Sequence, residues 1–386
     1  MMPKVLVNAT TLVVGGGVQI GISFVEYASR FEHKRFDFIF AVSRQIYDGL
    51  STELQQDERL NIVDVSPARI VKGYKSRLQL KHLEYQFYPD IVYTLGLPSY
   101  VRFNRPEVGR YTNPWEIFPS SLAWSKVPII ERVRILLKSQ YRMYWARRAE
   151  YFETQTEAAK SGIIKKLHVP SQKIKVIPNS PNQRYLHNGD ATEGKVNKAN
   201  GKNVLCLSAA YRHKNLSIIP EVAEKLKNNH NDPSYLFILT IPFESQIYKE
   251  IKTASTKLGV TEMIKNIGPL SIDQCIAQYK KANVIFLPTL LEVFSATYLE
   301  AMAMSKPIIT PDLDFARDIC GEAAMYYSPI SPTSAAEALM LVINNTDLYG
   351  NLVRRGKDRL ALFPDPDVKY SIVLDWLENI TIDLSS

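Results

Sequence analysis

The sequence predicts an α/β protein of two Rossmann-like parallel-sheet domains facing a central cleft. Three observations carry this. The length of 386 residues exceeds what one ordinary core fills, so two domains of roughly 150–200 residues are expected. Short β-branched runs alternate with longer amphipathic stretches twice over, the pattern of parallel strands joined by helices. Between the two series lies Leu186–Lys202, LHNGDATEGKVNKANGK, whose polar, Asn-, Gly- and Lys-rich composition is that of an interdomain linker.

In the first series, Val5–Asn8, Phe36–Ala41, Asn61–Val65, Asp90–Leu95, Val108–Thr112, Tyr151–Thr154 and Lys173–Ile177 read as strands. Helical periodicity marks Val18–Phe31, Gln45–Gln56, Val71–Gln86, Ile129–Arg148 and Glu157–Leu167. In the second series, the strands are Asn203–Leu207, Tyr235–Ile241, Ile264–Ile267, Val284–Leu287, Pro307–Thr310 and Met325–Tyr327. Its helices are Leu216–Asn229, Glu244–Leu258, Ile272–Lys280, Ala296–Met304 and Ser334–Asn344, with two more over Asp347–Leu360 and Asp367–Ile382. The expected organisation is a domain over 1–186, a linker over 187–202, a second domain over 203–365, and a final helix over 366–386 crossing back to the first.

An apolar fraction of 46% with 22% charged residues is ordinary for a globular chain. Cys206, Cys275 and Cys320 are scattered within apolar runs. They have neither metal-ligand spacing nor a disulfide pattern, so a reducing cytoplasm is the expected compartment. Neither a leader peptide nor an apolar run near the ~20 residues needed to cross a bilayer is expected. The net charge of +8 is unevenly spread: residues 1–190 hold 27 Lys and Arg against 17 Asp and Glu, residues 191–386 hold 20 against 22. A basic first half suits an anionic partner. Residues Lys126–Lys166 carry ten cations against four acids, with Tyr141, Tyr144 and Trp145 interspersed. That is the composition either of an interfacial helix on an anionic membrane or of a solvated basic surface. No nucleic-acid-binding module is recognisable, and nucleic acid is not an expected partner.

Three segments carry candidate chemistry. Gly15, Gly16 and Gly17 lie between the first strand and first helix, where they either form a flexible turn or let the backbone approach a ligand. Tyr211-Arg212-His213-Lys214-Asn215 follows the first strand of the second domain and opens a helix, which suits Arg212 and Lys214 to an anionic group. The third segment runs from Pro288 to Pro307 through Glu292, Phe294, Ser295, Ala296 and Glu300. A strand ends, a loop carries Glu292, and a helix begins near Ser295 with free amides suited to phosphate oxygens. Glu300 lies about a turn and a half into that helix. Asp312-Leu-Asp314 and Asp365-Pro-Asp367 have the form of divalent-ion ligands but read as structural, and no metal site is expected.

This third segment resembles the signature of retaining family-4 glycosyltransferases of the GT-B fold, bacterial polysaccharide and O-antigen type. The family pattern is roughly P-S-x-x-E-G-F-G followed by E-A-M-A-x-G-x-P. Pro288, Glu292, Phe294, Glu300, Ala301, Met302, Ala303 and Pro307 match it, and Thr289, Val293, Ser295 and Ser305 depart from it. Lys214-Asn215, Asn266-Ile267-Gly268 and Gly321-Glu322-Ala323-Ala324 are similar to further family segments. The resemblance is firm over about residues 203–330. It implies transfer of a sugar from a nucleotide-sugar donor to a saccharide or lipid-linked saccharide acceptor, with retention and without metal or other cofactor. It also implies a place in cell-surface polysaccharide synthesis, in the cytoplasm or peripherally on the inner face of the plasma membrane. Carried onto this chain, Glu292, Lys214, Arg212 and Asn113 are the expected catalytic residues. Gly16, Gly17, Lys214, Asn215, Ile267, Phe294, Ser295, Ala296 and Glu300 are expected to bind the donor. A nucleotide-sugar epimerase on the same fold and a non-catalytic nucleotide-binding subunit are the alternatives. Asn113-Pro114-Trp115-Glu116 is either a polar corner facing the sugar and acceptor or a packing corner.

Overall fold

The computed structural model describes residues 2–31, 35–118, 122–189, 202–229 and 231–385. Most of the expected linker, 190–201, lies outside the described residues. The chain forms two compact units. One comprises residues 1–117, 133–178 and 367–386, the other residues 118–132 and 179–366.

The first unit holds a seven-stranded parallel sheet. Its strands are β1 (Lys4–Ala9), β2 (Asp37–Ser43), β3 (Leu60–Val63), β4 (Ile91–Thr94), β5 (Glu107–Arg110), β6 (Tyr151–Thr154) and β7 (Ile174–Val176), in the order β3-β2-β1-β4-β5-β6-β7. Both faces are covered, which is why strands such as Val5-Leu6-Val7 are continuous apolar runs rather than alternating ones. One core is closed by the helix Gly16–Phe31 and by the C-terminal helix Pro366–Ser385, whose Tyr370, Val373, Leu374, Leu377 and Ile380 are buried against β1, β2 and β4. Lys369 of that helix is buried too, and desolvation with the nearby Arg110 lowers its ammonium to about 7. Arg110 and Glu153 approach to 3.3 Å inside the same sheet.

The second unit holds a six-stranded parallel sheet: β8 (Lys202–Cys206), β9 (Tyr235–Leu239), β10 (Ile264–Asn266), β11 (Val284–Phe286), β12 (Ile308–Pro311) and β13 (Ala324–Tyr327). The order is β10-β9-β8-β11-β12-β13. The first strand therefore lies in the middle. Val204 pairs with Val284 on one side and Phe237 on the other. Successive crossovers run in opposite directions from β8, and the carboxyl ends of β8 and β11 flank the point where they part.

Some local expectations need correction. Gln45–Gln56 is not one helix: Leu50 and Ser51 are extended, and Ser51 caps a separate turn, Thr52–Gln55. The short helices Pro114–Ile117, Gln183–Asn188 and Asp314–Cys320 went unread, being too short to show a 3.6-residue period. Residues 179–189 group with the second unit, ahead of the boundary expected at 186, because Tyr185 is buried in that unit's core, its ring 5.6 Å from that of Tyr279.

Leu374 is fully buried on the C-terminal helix. Leu374→Ala is expected to destabilise the first unit by about 3 kcal/mol, read as a lower urea midpoint of its unfolding transition.

Candidate functional site

At the switch point of the second sheet, a pocket is lined by Leu207, Ser208, Lys214, Leu287, Pro288, Thr289, Glu292 and Ser295. Its walls are the segments that follow β8 and β11. The first, Arg212–Lys214, is a 3-10 turn ending at Asn215, which adopts a left-handed conformation (φ 53°) that asparagine tolerates better than most residues. The second, Thr289–Glu292, is pinned to it: the Leu290 amide donates to the His213 carbonyl (2.7 Å), and Thr289 Oγ1 donates to Glu292 Oε1 (3.1 Å). Lys214 and Glu292 are themselves ion-paired and largely shielded from solvent.

Ser295 ends the pocket wall and is the N-cap of the helix Ala296–Ala303. It makes no side-chain cap bond, so the first-turn amides are left without one. An uncapped helix start carries partial positive charge and unpaired donors. Five residues on, Glu300 is partly buried and accepts from the Tyr279 hydroxyl at 3.0 Å. Burial pushes its carboxyl up to about 7, and the Tyr279 bond pulls the other way. His213 stacks on Tyr211 with ring centroids 5.5 Å apart. Burial lowers its imidazole to about 4, so it is neutral at pH 7.

The expected residues divide into those that meet here and those that do not. Lys214, Glu292 and Ser295 line the pocket, with Asn215 and Ala296 next to them in the chain. Arg212 is adjacent, but its guanidinium forks onto Glu250 (2.5 and 2.9 Å), with Glu131 at 4.0 Å. Both proposed cations are thus neutralised by carboxylates. Asn215 is buried, and neither its amide nitrogen nor its oxygen finds a partner among the described residues. Phe294 turns to Phe363, with edge-on rings 6.0 Å apart. Ile267 packs on the core below β9 and β11. Gly268 beside it has φ 78°, and a Cβ there would come within 2.8 Å of the Phe243 ring.

In the first unit, Gly15 is left-handed (φ 61°), and a Cβ on Gly15 or Gly16 would meet nothing within 4 Å. These two glycines border open space, whereas a Cβ on Gly17 would lie 3.2 Å from the Leu12 side chain. Asn113 accepts from the Trp115 amide at 3.2 Å, capping its own short helix. Glu116 is not an exposed acceptor contact. It is buried, bonded by the Tyr111 hydroxyl at 3.2 Å and faced by Arg142 at 3.6 Å; burial raises it to about 7. Asp312 is forked by Arg317 at 2.5 and 2.8 Å, and among the described residues no group of three acids, histidines or cysteines is arranged to hold a metal. Glu250, Tyr279 and Thr289 were not anticipated. Thr289 stands where the segment departs from the family pattern, and the partners of Arg212 and Glu300 are distant in sequence and carry no local signal.

Because the folded Glu300 carboxyl titrates above its ordinary value, it favours the folded state least once ionised. The stability difference between wild type and Glu300→Gln is expected to move in favour of the variant by about 1 kcal/mol as pH rises from 6 to 8. Unfolding midpoints measured for both proteins across that range check this. A pH-independent difference would contradict it.

Residues 190–359 match the family described as Glycosyl transferases group 1. Among curated proteins, the O-antigen chain mannosyltransferase RfbU of Salmonella typhimurium is 22% identical over 63% of this chain, which spans 62% of that relative's length. Among solved structures, a glycosyltransferase from Rickettsia africae ESF-5 has a TM-score of 0.72 at 16% identity, covering 98% of each chain. Anabaena HepE in complex with UDP and glucose has a TM-score of 0.71 at 14% identity, covering 98% of this chain and all of that one. The segment 190–359, which holds most of the second unit, is thus similar to the glycosyl transferases of group 1, and the chain has the GT-B fold.

Proposed function

We propose that the chain transfers a sugar from a nucleotide-sugar donor to a saccharide or lipid-linked saccharide acceptor, with retention of configuration and without metal, in cell-surface polysaccharide synthesis. The observation that carries this reading is the Lys214–Glu292 pair facing the uncapped start of helix Ala296–Ala303 at the β8/β11 switch point. That arrangement suits a diphosphate: its oxygens take the first-turn amides and draw Lys214 away from Glu292. Charge that develops on the leaving diphosphate as the bond to the anomeric carbon breaks is met by groups already in place, where electrostatic catalysis gains most. Glu292, released from Lys214, accepts hydrogen bonds from the sugar, and Glu300 accepts them from the ribose. Arg212 joins only if the diphosphate displaces Glu250. Gly16 leaves room for the sugar side of the donor, and Asn113 contacts the transferred sugar. Arginines and lysines over Lys126–Lys166 are proposed to hold the protein on the anionic inner face of the membrane. The helix Ile129–Ala146 supports this with exposed Ile129, Ile130, Val133, Leu136 and Leu137, and no described helix is long and apolar enough to cross.

Transfer from a panel of nucleotide sugars tests the reading. Lys214→Ala and Glu300→Ala are each expected to lower kcat/KM by about a hundredfold or more. Activity near wild type in both overturns it, and isomerisation of the donor with no acceptor present would favour an epimerase instead. Chelator is expected to leave the rate unchanged.

Glu292→Gln separates binding from chemistry. Removing the carboxylate frees Lys214, so the nucleoside diphosphate should bind several-fold tighter while transfer falls. Calorimetric titration beside the transfer assay reads both. Weaker binding would show that the ion pair does not compete with phosphate.

A further inference from the structure

The helix Tyr74–Phe87 of the first unit has one closed face and one bare face. Leu80 and Leu83 are buried with Leu6, Ala41, Val92 and Val101. On the other side Tyr74, Leu78 and Tyr85 are exposed, and in the preceding turn Ile70 is 69% and Val71 83% exposed. Burying either aliphatic side chain would be favourable, so a fixed backbone that holds both in water needs an explanation.

The backbone is fixed. Arg77 donates to the carbonyls of Pro67 (3.0 Å) and Ile70 (2.5 Å), and Ser76 Oγ donates to that of Val65 (2.6 Å). The amides of Arg69, Gly73 and Tyr74 bond the carbonyls of Ser66, Arg69 and Val71. A Cβ on Gly73 would lie 2.4 Å from the Arg69 carbonyl oxygen, so the turn closes only on glycine. Ile70 and Val71 are thus presented at the apex of a rigid turn.

The charge around this apex has one sign. Between Asp64 and Glu84 the sequence has no acid and five cations, Arg69, Lys72, Lys75, Arg77 and Lys81. Arg77 is committed to the turn and Lys81 to Glu84 at 2.5 Å. Arg69, Lys72 and Lys75 stand exposed beside the apolar apex. Aliphatic tips flanked by cations on flexible stems and by tyrosine rings match the boundary between phospholipid headgroups and acyl chains, where each part finds its preferred depth. A purely acidic protein surface would satisfy the cations but not the protruding Ile70 and Val71.

We infer that the Ile70–Val71 turn is a prong that inserts into the headgroup layer of an anionic bilayer, with Arg69, Lys72 and Lys75 on the lipid phosphates. This deepens the membrane reading above and rests on it, but it uses a different part of the chain. The loop between β4 and β5 touches both helices: Val101 clusters with Leu80 and Leu83, while the adjacent Tyr100 ring stacks at 5.6 Å on Tyr141 of helix Ile129–Ala146.

Flotation of the full-length protein with vesicles of phosphatidylcholine, alone or mixed with phosphatidylglycerol, tests the prong. Wild type is expected to float only with the mixed vesicles. Lys72→Gln with Lys75→Gln should lower partitioning by roughly tenfold or more at low salt, at about 1 kcal/mol per surface cation, and less as salt rises. Ile70→Ser with Val71→Ser should lower it at every salt concentration. The three native cysteines are buried, so a polarity-sensitive dye on Val71→Cys reports insertion directly by a blue shift on the mixed vesicles. Arg134→Gln with Lys138→Gln tests the other helix in the same assay. If the Lys72/Lys75 and Ile70/Val71 variants float like wild type and the dye stays water-exposed, the prong is overturned while the helix reading stands. If wild type does not float at all, both fall, and capture by an acidic protein without flotation also overturns the prong.

Discussion

Because β8 lies in the middle of its sheet, the chain must leave it toward β9 and later return on its other side as β11. The loops after these two neighbouring strands part company, and nothing in a parallel sheet fills the space between them. The rest of the site follows from that vacancy. Lys214 reaches it from one loop and Glu292 from the other, and the bond from the Leu290 amide to the His213 carbonyl sets their spacing. The helix that follows Ser295 starts at the same place without a side-chain cap. Lys214 is 78 residues from Glu292 and farther still from Ser295. Strand order alone makes them neighbours.

The electrostatics of this place are those of exchange rather than of an open positive well. Lys214 is held by Glu292, and Arg212 by Glu250. Shielded ion pairs are compensated at considerable desolvation expense, and removing one partner is far more disruptive than removing both. On the function proposed above, an arriving dianion would take the place of a carboxylate, and the displaced carboxylate would accept from hydroxyl groups. The pairing keeps Lys214 oriented toward Glu292. The helix amides differ, since their partial charge comes from backbone geometry and needs no counter-ion.

All thirteen described strands were legible, within a residue or two at either end, because most carry a short apolar run buried on both faces and polar loops punctuate them, although β5 (Glu107–Arg110) buries Glu107 and Arg110. Lys214, Glu292, Ser295 and Glu300 were legible for another reason. A signature tied to the strand-to-helix turn keeps its chemistry within a few residues. What escaped was long-range. The fork from Arg212 to Glu250 joins residues 38 apart, and Glu116, which reads as a polar loop residue, is buried by Tyr111 and by the helix that begins at Ile129. The break at Leu50–Ser51 escaped because the apolar period continues through it, while the Ser51 side chain caps the Leu54 amide and restarts the turn.

The segment 118–132 gives these observations a common thread. By its contacts it belongs with the second unit, yet it continues into residues of the first. Its 3-10 turn Leu122–Lys126 packs on the turn Arg212–Lys214, and Glu131, in the first turn of helix Ile129–Ala146, lies 4.0 Å from Arg212. Arg212 therefore sits between two carboxylates, one fixed in its own unit's helix and one at the head of an amphipathic helix with exposed isoleucines.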